Sequence, residues 1–367
     1  MIVEELLHQI DAGRQGDNWG LSMGLPKLEQ YIDGVSRNTY TLVFSGSGVG
    51  KTSLALYAYI YRPLMDNLDN DNFRIIYYSL EMSRSILLLK LLCMYMQETY
   101  GVEISSKEIL SKKRGEILSE AHYNIILKCK DWMNMVESKM TIYDRSLNAL
   151  LLKNHLNREM EKTGKFIKTD TLITYIPDNE KQVTLVVIDH MSLLRTSEGR
   201  SQKQEIDLAS SYLVSHRNTC FISPLVIMQT NRDSSSMDRR NAGFQEPQRS
   251  DIKESGAPEQ DAEVIIAIYD PVRDKLTTHR GYNVKEMDKH YRSILLLKNR
   301  YGDGDIAIGC AFYGKCGIWR ELPKSNEIYN YEIYNKISDY NTEALINTTS
   351  DGEICTDTKI NKLEIKF

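Results

Sequence analysis

A glycine-rich segment that follows an apolar strand restricts the possible folds of this chain more than any other feature. Residues Ser45–Ser53 read SGSGVGKTS and come directly after the apolar run Thr41–Phe44. The segment fits the phosphate-binding loop G-x-x-x-x-G-K-[ST], with serine in place of the first glycine, and a predicted helix follows it. Glycines let successive backbone N–H groups point at phosphate oxygens, and the helix N-terminus adds about half a positive charge. The predicted phosphate-contacting residues are Ser45, Gly46, Ser47, Gly48, Val49, Gly50, Lys51, Thr52 and Ser53.

Two residues of this loop and one distant aspartate predict a site for a nucleoside triphosphate with Mg²⁺. Lys51 is expected to reach the β- and γ-phosphates, and the hydroxyl of Thr52 is expected to hold the metal. The run Thr184–Asp189 predicts a buried strand that ends in an acid. Ligands of open α/β sheets bind at the carboxyl ends of strands, so Asp189 is the second predicted magnesium ligand.

Two further strand ends carry polar side chains that position alone leaves with two interpretations each. Glu81 follows the run Ile75–Leu80, where a carboxylate can polarise an attacking water or can stabilise the first turn of the next helix. Gln229 follows the run Leu225–Met228, where an amide can sense the γ-phosphate or can simply hydrogen-bond the backbone. Neither pair of alternatives is decided by the spacing.

Alternating strand and helix patterns predict the fold class. Continuous apolar runs are typical of strands covered on both faces, and helical patterns lie between them. We therefore predict an α/β protein with a mostly parallel sheet flanked by helices. Closely spaced runs between Ser293 and Leu322 predict antiparallel strands at the C-terminal edge. Two additions are expected, a hairpin of two helices over Ser105–Ser138 and a β-hairpin over Lys165–Gln182.

Length and composition limit the domain organisation and the compartment. The 367 residues suffice for one large domain with attachments. We expect a linker helix within residues 1–19, a main domain over residues 20–324 and an appendage over residues 325–367. No apolar run approaches the roughly eighteen residues of a membrane span, and the acidic N-terminus is unlike a secretory signal, so a cytoplasmic protein without a membrane partner is expected. The six cysteines form no C-x-x-C pair and predict no zinc site.

The charge pattern bears on nucleic-acid binding. A formal net charge of -4 predicts that any nucleic acid is bound by local groups rather than by the whole surface. The polar stretch Arg232–Lys253 predicts a long loop, and such loops are often functional. From Arg232 to Arg249, three acids nearly cancel four arginines, so a DNA-contacting loop and a solvated loop without DNA both fit. The arginines are Arg232, Arg239, Arg240 and Arg249, and the acids are Asp233, Asp238 and Glu246.

Seven motifs follow one another between about Gly20 and Leu322. They are GLSMGLPKLEQYIDG, FSGSGVGKTS, IIYYSLEMS, TLVVIDHMSLL, VIMQTNR, SDIKESGAPEQDAEVIIAIY and LLLKNRYGDGDIAI. This series resembles the RecA-like motor domain of hexameric DnaB-type replicative DNA helicases, which occur in bacteria and many phages. The glycine loop is shared by a very large class, whereas SLEMS, SDIKESG with EQDA, and KNR are much narrower. The resemblance implies a RecA-like P-loop NTPase core.

The resemblance implies five catalytic residues. Glu81 matches the catalytic carboxylate of the family, and Gln229 matches its phosphate-sensing glutamine. Lys298 and Arg300 match basic fingers that one subunit inserts into its neighbour's nucleotide site, where they stabilise charge on the transferred phosphoryl group. Without the resemblance, these two residues would be interpreted as solvated cations at a strand end. Lys51 of the phosphate loop completes the set.

The segment Ser250–Gly256 matches the central-channel loop that contacts the backbone of single-stranded DNA in the family. Lys253 occupies a position where arginine is usual, and both side chains neutralise phosphate. Gly256 would allow close approach of the backbone N–H to a phosphate. The predicted DNA-binding residues are Lys253, Glu254, Gly256, Arg232, Arg239, Arg240 and Arg249.

The function implied by the resemblance is that of an ATP-dependent hexameric helicase that translocates on single-stranded DNA and unwinds duplex during replication. ATP and Mg²⁺ are the implied cofactors. Single-stranded DNA, further copies of the chain and a primase or helicase loader are the implied partners. Relatives carry an N-terminal domain that forms a collar, and we do not expect one within this sequence. The amphipathic stretch Val3–Ile10 resembles the linker helix that docks on an adjacent motor domain.

Two other functions are alternatives to a helicase: a RecA-like recombination ATPase that coats DNA and an ATPase that remodels proteins. His190 is assigned no catalytic role.

Overall fold

The computed structural model describes residues 2–16, 18–168, 173–231, 245–253 and 256–341. Its strands are β1 (Thr41–Ser45), β2 (Phe73–Ser79), β3 (Met140–Tyr143), β4 (Gly164–Lys168), β5 (Ile173–Pro177), β6 (Val183–Asp189), β7 (Ser223–Gln229), β8 (Val264–Tyr269), β9 (Thr278–His279), β10 (Tyr282–Asn283), β11 (Tyr291–Asn299), β12 (Ile306–Tyr313) and β13 (Ile318–Glu321). Its α-helices are α1 (Ile2–Arg14), α2 (Pro26–Ile32), α3 (Lys51–Leu54), α4 (Arg62–Asp66), α5 (Arg84–Tyr100), α6 (Ser106–Ile109), α7 (Glu120–Lys128), α8 (Lys130–Lys139), α9 (Ala149–Met160), α10 (Gln202–Cys220), α11 (Ala257–Asp261) and α12 (Val284–Met287).

Nine of these strands form one sheet in the order β13-β12-β11-β8-β1-β7-β6-β2-β3. The strands from β8 to β3 run parallel to one another. The three strands at the other edge, β11, β12 and β13, pair antiparallel. The predicted α/β fold, with a mostly parallel sheet and antiparallel strands at the C-terminal edge, is therefore confirmed.

Two apolar cores lie on the opposite faces of this sheet. Successive side chains of a strand point to opposite faces, so Val43 of β1 joins one core while Leu42 and Phe44 join the other. Helices α5 and α8 cover the first core, and α9 and α10 cover the second. Because both faces are covered, β1, β6 and β8 are buried along their whole length, which explains their continuous apolar sequences.

Two helical regions have features that the sequence did not predict. The helix after the glycine loop continues through a fully buried π-helical segment, Ala55–Tyr61, into α4. The predicted hairpin of two helices over residues 105–138 is instead three short helices, α6, α7 and α8. Ser105 and Ser119 cap two of them by accepting hydrogen bonds from backbone N–H groups, so each serine begins a new helix. The predicted β-hairpin is present as β4 and β5.

The two ends of the described chain differ in how they pack. Ile328, Tyr331, Tyr334 and Ile337 belong to the first core, so the packed region extends past the boundary predicted at residue 325. On α1, in contrast, the apolar side chains within residues 3–10 that the structure describes are about half exposed or more. In the described ranges, no helix combines the length and the apolar character needed to cross a membrane.

Candidate functional site

The loop between β1 and α3 has a backbone that requires glycine. Gly48 and Gly50 have φ angles of 68° and 128°, which residues with side chains rarely adopt. A Cβ added to Gly50 would lie 2.9 Å from Cζ2 of Trp319. Lys51 Nζ donates hydrogen bonds to the carbonyl oxygens of Ser45 (3.1 Å) and Gly46 (3.0 Å). Burial lowers the pKa of Lys51, and the nearby carboxylates of the site oppose this shift.

Thr52 and Asp189 are brought together where β1 and β6 end. Thr52 Oγ1 donates to Asp189 Oδ2 over 3.0 Å, and the buried Tyr77 hydroxyl donates to the same oxygen over 2.7 Å. Asp189 is 1% exposed, and its Oδ1 has no hydrogen-bond partner among the described residues. Burial raises the pKa of Asp189, and the hydrogen bonds from Tyr77 and Thr52 act against this shift. An unpartnered carboxylate oxygen beside a hydroxyl is a donor set that fits Mg²⁺.

The described residues contain no cluster of three or more acidic, histidine or cysteine side chains suited to a metal. Magnesium is commonly held by one or two carboxylates together with phosphate oxygens of a nucleotide, so a larger cluster is not required. The side chains of Thr52 and Asp189 are therefore enough protein ligands to fit a magnesium site of this kind.

Glu81, His190 and Gln229 lie side by side at the ends of β2, β6 and β7. His190 Nε2 is 4.0 Å from Glu81 Oε2 and 3.2 Å from Gln229 Nε2. Burial lowers the pKa of His190, although Glu81 acts in the opposite direction, so the neutral ring can accept a hydrogen bond from the Gln229 amide. Sequence reasoning gave His190 no role, and its position directly after Asp189 was the available signal.

The structure also separates the alternatives left open for Glu81 and Gln229. Helix α5 begins at Arg84, and the N–H of Arg84 donates to Asp144 Oδ2 over 3.1 Å. Asp144, rather than Glu81, therefore occupies the helix N-terminus. The Glu81 side chain is 56% exposed and faces His190. The side-chain amide of Gln229 likewise contacts His190 instead of the backbone. Both arrangements favour a place in the nucleotide site.

Lys298 and Arg300 lie near the amino end of the parallel strands, whereas the phosphate loop of the same chain lies at their carboxyl end. Lys298 Nζ donates to the carbonyl oxygens of Glu259 (3.1 Å) and Gln260 (3.0 Å). Arg300 Nη1 is 3.2 Å from Glu263 Oε1, and its side chain is 48% exposed. Residues 259–263 directly precede β8, whereas the phosphate loop follows β1, which is parallel to β8. The two cations are therefore not gathered with the other predicted catalytic residues.

The predicted DNA-contacting segment is joined to the end of β7. Lys253 N donates to the carbonyl of Gln229 over 2.9 Å, and Thr230 forms an antiparallel bridge with Ile252. Lys253 has an exposed side chain. Gly256 packs so closely on α10 that an added Cβ would lie 2.9 Å from Asp207 Oδ1, which explains the glycine without DNA.

The arginines of this region are only partly described. Arg249 Nε donates to Glu259 Oε1 over 2.6 Å, so its charge is already paired within the chain. The predicted DNA-binding residues Arg232, Arg239, Arg240 and Glu254 lie outside the described residues.

Sequence reasoning missed three charged residues on the outer side of the phosphate loop. Arg273 Nη1 and Nη2 donate to two carbonyl oxygens of residues 47–49, at 2.5 Å and 2.8 Å, and Arg292 Nε donates to a third at 3.0 Å. Both guanidinium groups lie 3.1 Å from Asp270 Oδ2. These contacts join residues more than 200 positions apart, and no local motif marks them.

Residues 20–317 match the model of the family described as DnaB-like helicase C terminal domain. The chain is similar to the replicative DNA helicase DnaB of Helicobacter pylori, with 23% identity over 308 residues that cover 84% of this chain and 52% of the relative. It is 26% identical over 313 residues to the replicative DNA helicase DnaB of Geobacillus stearothermophilus, covering 81% of this chain and 55% of the relative. The chain therefore spans about half the length of these curated relatives.

The fold is also similar to solved structures. One describes a DnaB-like replicative helicase and its interactions with primase; it matches with a TM-score of 0.64 and 20% identity over 88% of this chain and 68% of that chain. A solved ATPase domain matches equally well, with a TM-score of 0.64, and 99% of that chain is covered. At 20% sequence identity, the similarity to these structures shows the fold alone.

Proposed function

Because the chain belongs to the DnaB-like helicase C-terminal domain family, we propose that it is the motor of an ATP-dependent replicative DNA helicase, which moves along single-stranded DNA and separates a duplex. The observation that carries this proposal is the 3.0 Å hydrogen bond between Thr52 and the buried Asp189, directly after a glycine loop that presents Lys51. This arrangement suits a nucleoside triphosphate with Mg²⁺. The family match favours this function over that of a DNA-coating recombination ATPase.

The proposed nucleotide site divides the work among its side chains. The N–H groups of residues 46–52 and the ammonium of Lys51 would bind the phosphates, and Thr52 and Asp189 would hold a magnesium ion. When bound, that ion would supply positive charge that offsets the negative charge of the phosphates. Glu81 accepts a hydrogen bond from the attacking water and orients it. Gln229, held by His190, carries an amide toward the phosphate without adding charge.

The proposed site is completed by a neighbouring copy of the chain. Arg300 pairs with Glu263 at the level of residue 41 of β1, because Thr41 and Val264 are partners in the sheet. About five residues of strand, or roughly 16 Å, separate this level from the start of the phosphate loop. An arginine side chain does not span that distance, which supports the role of Lys298 and Arg300 as fingers that act on another subunit.

Assembly of several copies, with a hexamer as the proposed form, also gives the exposed apolar face of α1 a surface to cover. An isolated helix of this length is marginally stable in water, so α1 gains stability by packing on another subunit. A primase or helicase loader is a further proposed partner. We also propose that the protein is located in the cytoplasm.

DNA is proposed to contact the segment around Lys253. The 2.9 Å hydrogen bond from Lys253 N to the Gln229 carbonyl joins this segment to the strand that carries the proposed phosphate sensor. A nucleotide-dependent change at the end of β7 can therefore displace the DNA-contacting residue. Contacts to phosphates make the affinity for single strands depend steeply on salt and little on sequence.

A forked-duplex assay tests the proposed function. We expect the wild type to release the displaced strand in the presence of ATP and Mg²⁺, and the Lys51→Ala variant to bind single strands without separating the fork. A recombination-type ATPase would hydrolyse ATP on single strands but leave the fork intact. A chain that hydrolyses ATP without any response to DNA would contradict both assignments.

A further inference from the structure

The phosphate loop is held from outside by a charged cluster that the helicase assignment does not use. The cluster consists of Arg273, Arg292 and Asp270, and Arg273 belongs to a segment, residues 271–290, for which no family motif gives a role. Arg273 binds the carbonyl oxygens of Ser47 and Gly48, at the tip of the loop.

The cluster combines a buried base with an accessible end. Asp270 and Arg292 are less than a tenth exposed, whereas the Arg273 side chain is 50% exposed. Asp270 Oδ2 forms ion pairs with both arginines at 3.1 Å, so the carboxylate fixes the position of Arg273 relative to the sheet. A guanidinium has donors in a rigid fork, which lets one side chain bind a carboxylate and two carbonyl oxygens at once.

The contacts oppose a specific motion of the loop. A phosphate loop works when several N–H groups point inward together, and its carbonyl oxygens then point outward. Rotation of a peptide unit that turns an N–H away from the phosphate also moves a carbonyl away from Arg273. Glycines make such rotations easy, and fixing each flexible residue costs conformational entropy. Arg273 reduces this cost before the nucleotide arrives.

We infer that Arg273 is a positioning residue that holds the phosphate loop in its nucleotide-binding conformation. The inference rests on the proposed function only in taking a nucleotide as the ligand. Arg273 acts on the backbone of Ser47 and Gly48, and binding of either the diphosphate or the triphosphate benefits.

Arg280 provides a matched control in the same segment. Its side chain is 55% exposed, close to the value for Arg273, and it pairs with Glu246 instead of the loop. Removing either arginine deletes one half-exposed cation, so general effects of charge and folding are shared. An effect confined to the Arg273 variant then reports on the loop.

The test compares wild type, Arg273→Ala, Arg273→Lys and Arg280→Ala without DNA. For Arg273→Ala we expect faster amide hydrogen exchange in the peptide covering residues 45–52, an approximately tenfold higher Kd for ADP, and a KM for ATP that rises more than kcat falls. Arg273→Lys keeps the charge but loses the fork, so its loop should exchange like that of the alanine variant. Arg280→Ala should match wild type in all three measurements.

Unchanged loop exchange and ADP affinity in Arg273→Ala would overturn the inference. Equal changes in Arg280→Ala would overturn it as well, and so would complete recovery of both properties in Arg273→Lys, which would indicate simple charge attraction. A variant that loses kcat in proportion to its folded fraction, at constant KM, would also count against it. ADP binding requires neither DNA nor a fork, so failure of the helicase proposal leaves this test interpretable.

Discussion

The two parts of the proposed catalytic pocket can be inactivated separately, because they lie at opposite ends of one sheet. Lys51→Ala removes the ammonium that binds the phosphates, whereas Arg300→Ala leaves the phosphate loop of its own chain intact, since roughly 16 Å of strand lies between them. We expect the first variant to bind nucleotide poorly. We expect the second to bind nucleotide normally and to hydrolyse it about a thousandfold more slowly or worse.

Mixing the two inactive variants should restore activity. In an equal mixture, a pocket is intact where an Arg300→Ala protomer supplies the loop and its neighbour, a Lys51→Ala protomer, supplies the arginine. Random assembly gives this order at about one interface in four for a ring of any size. The mixture should therefore recover about a quarter of the wild-type ATPase rate, although each variant alone is inactive.

The assay measures steady-state phosphate release after the proteins are mixed at a dilution that dissociates them and are then concentrated. Fluorescence transfer between labelled protomers verifies exchange. As a control, Arg280→Ala mixed with Lys51→Ala should give about half of the wild-type rate, because both protomers carry Arg300. Exchange without recovery, or full activity of Arg300→Ala as a dilute monomer, would refute the arrangement.

Three other substitutions test separate parts of the structure. Glu81→Gln should lower kcat at least about a hundredfold in single-turnover assays while Kd for ATP stays constant; weaker binding with normal kcat would contradict a catalytic role. Gly50→Ala, with a φ of 128° and a Cβ 2.9 Å from Trp319, should cost about 1–3 kcal/mol of unfolding free energy by calorimetry and abolish ATP binding. The hydrogen bond with His279 is the main cause that lowers the pKa of Glu246 from 4.5 to about 2. The ionised Glu246 therefore stabilises the fold above pH 4.5, and this stabilisation is lost as the pH falls toward 2. The free energies of unfolding in urea of wild type and Glu246→Gln should converge over that interval.

The sequence was most informative where a local pattern has one structural solution. The run before the glycine loop, the run ending at Asp189 and the run Val264–Tyr269 are strands because continuous apolar segments of that length suit a sheet covered on both faces. The parallel order then brings the strand ends at Glu81, Asp189 and Gln229 together at the carboxyl end of the sheet.

The parts that were missed depend on contacts between distant residues. Arg273 and Arg292 follow no periodic pattern, and their role at the loop becomes visible only when β8 and β11 lie next to each other near β1. The helices of residues 105–138 were misjudged for a different reason. Short capped helices joined by turns have nearly the same composition as two longer helices, and the Ser119 cap that separates α6 from α7 is a weak signal.

The placement of Arg300 and the glycine loop at opposite ends of the sheet has a geometric consequence for assembly. When each copy gives its cations to the next copy and receives them from the previous one, the contact joins unlike surfaces in head-to-tail order, and the series of copies has a direction. A closed series has as many complete pockets as protomers, whereas an opened one has one fewer. If the proposed assembly opens to admit a DNA strand, one copy would therefore lack its partner's cations until the gap closes.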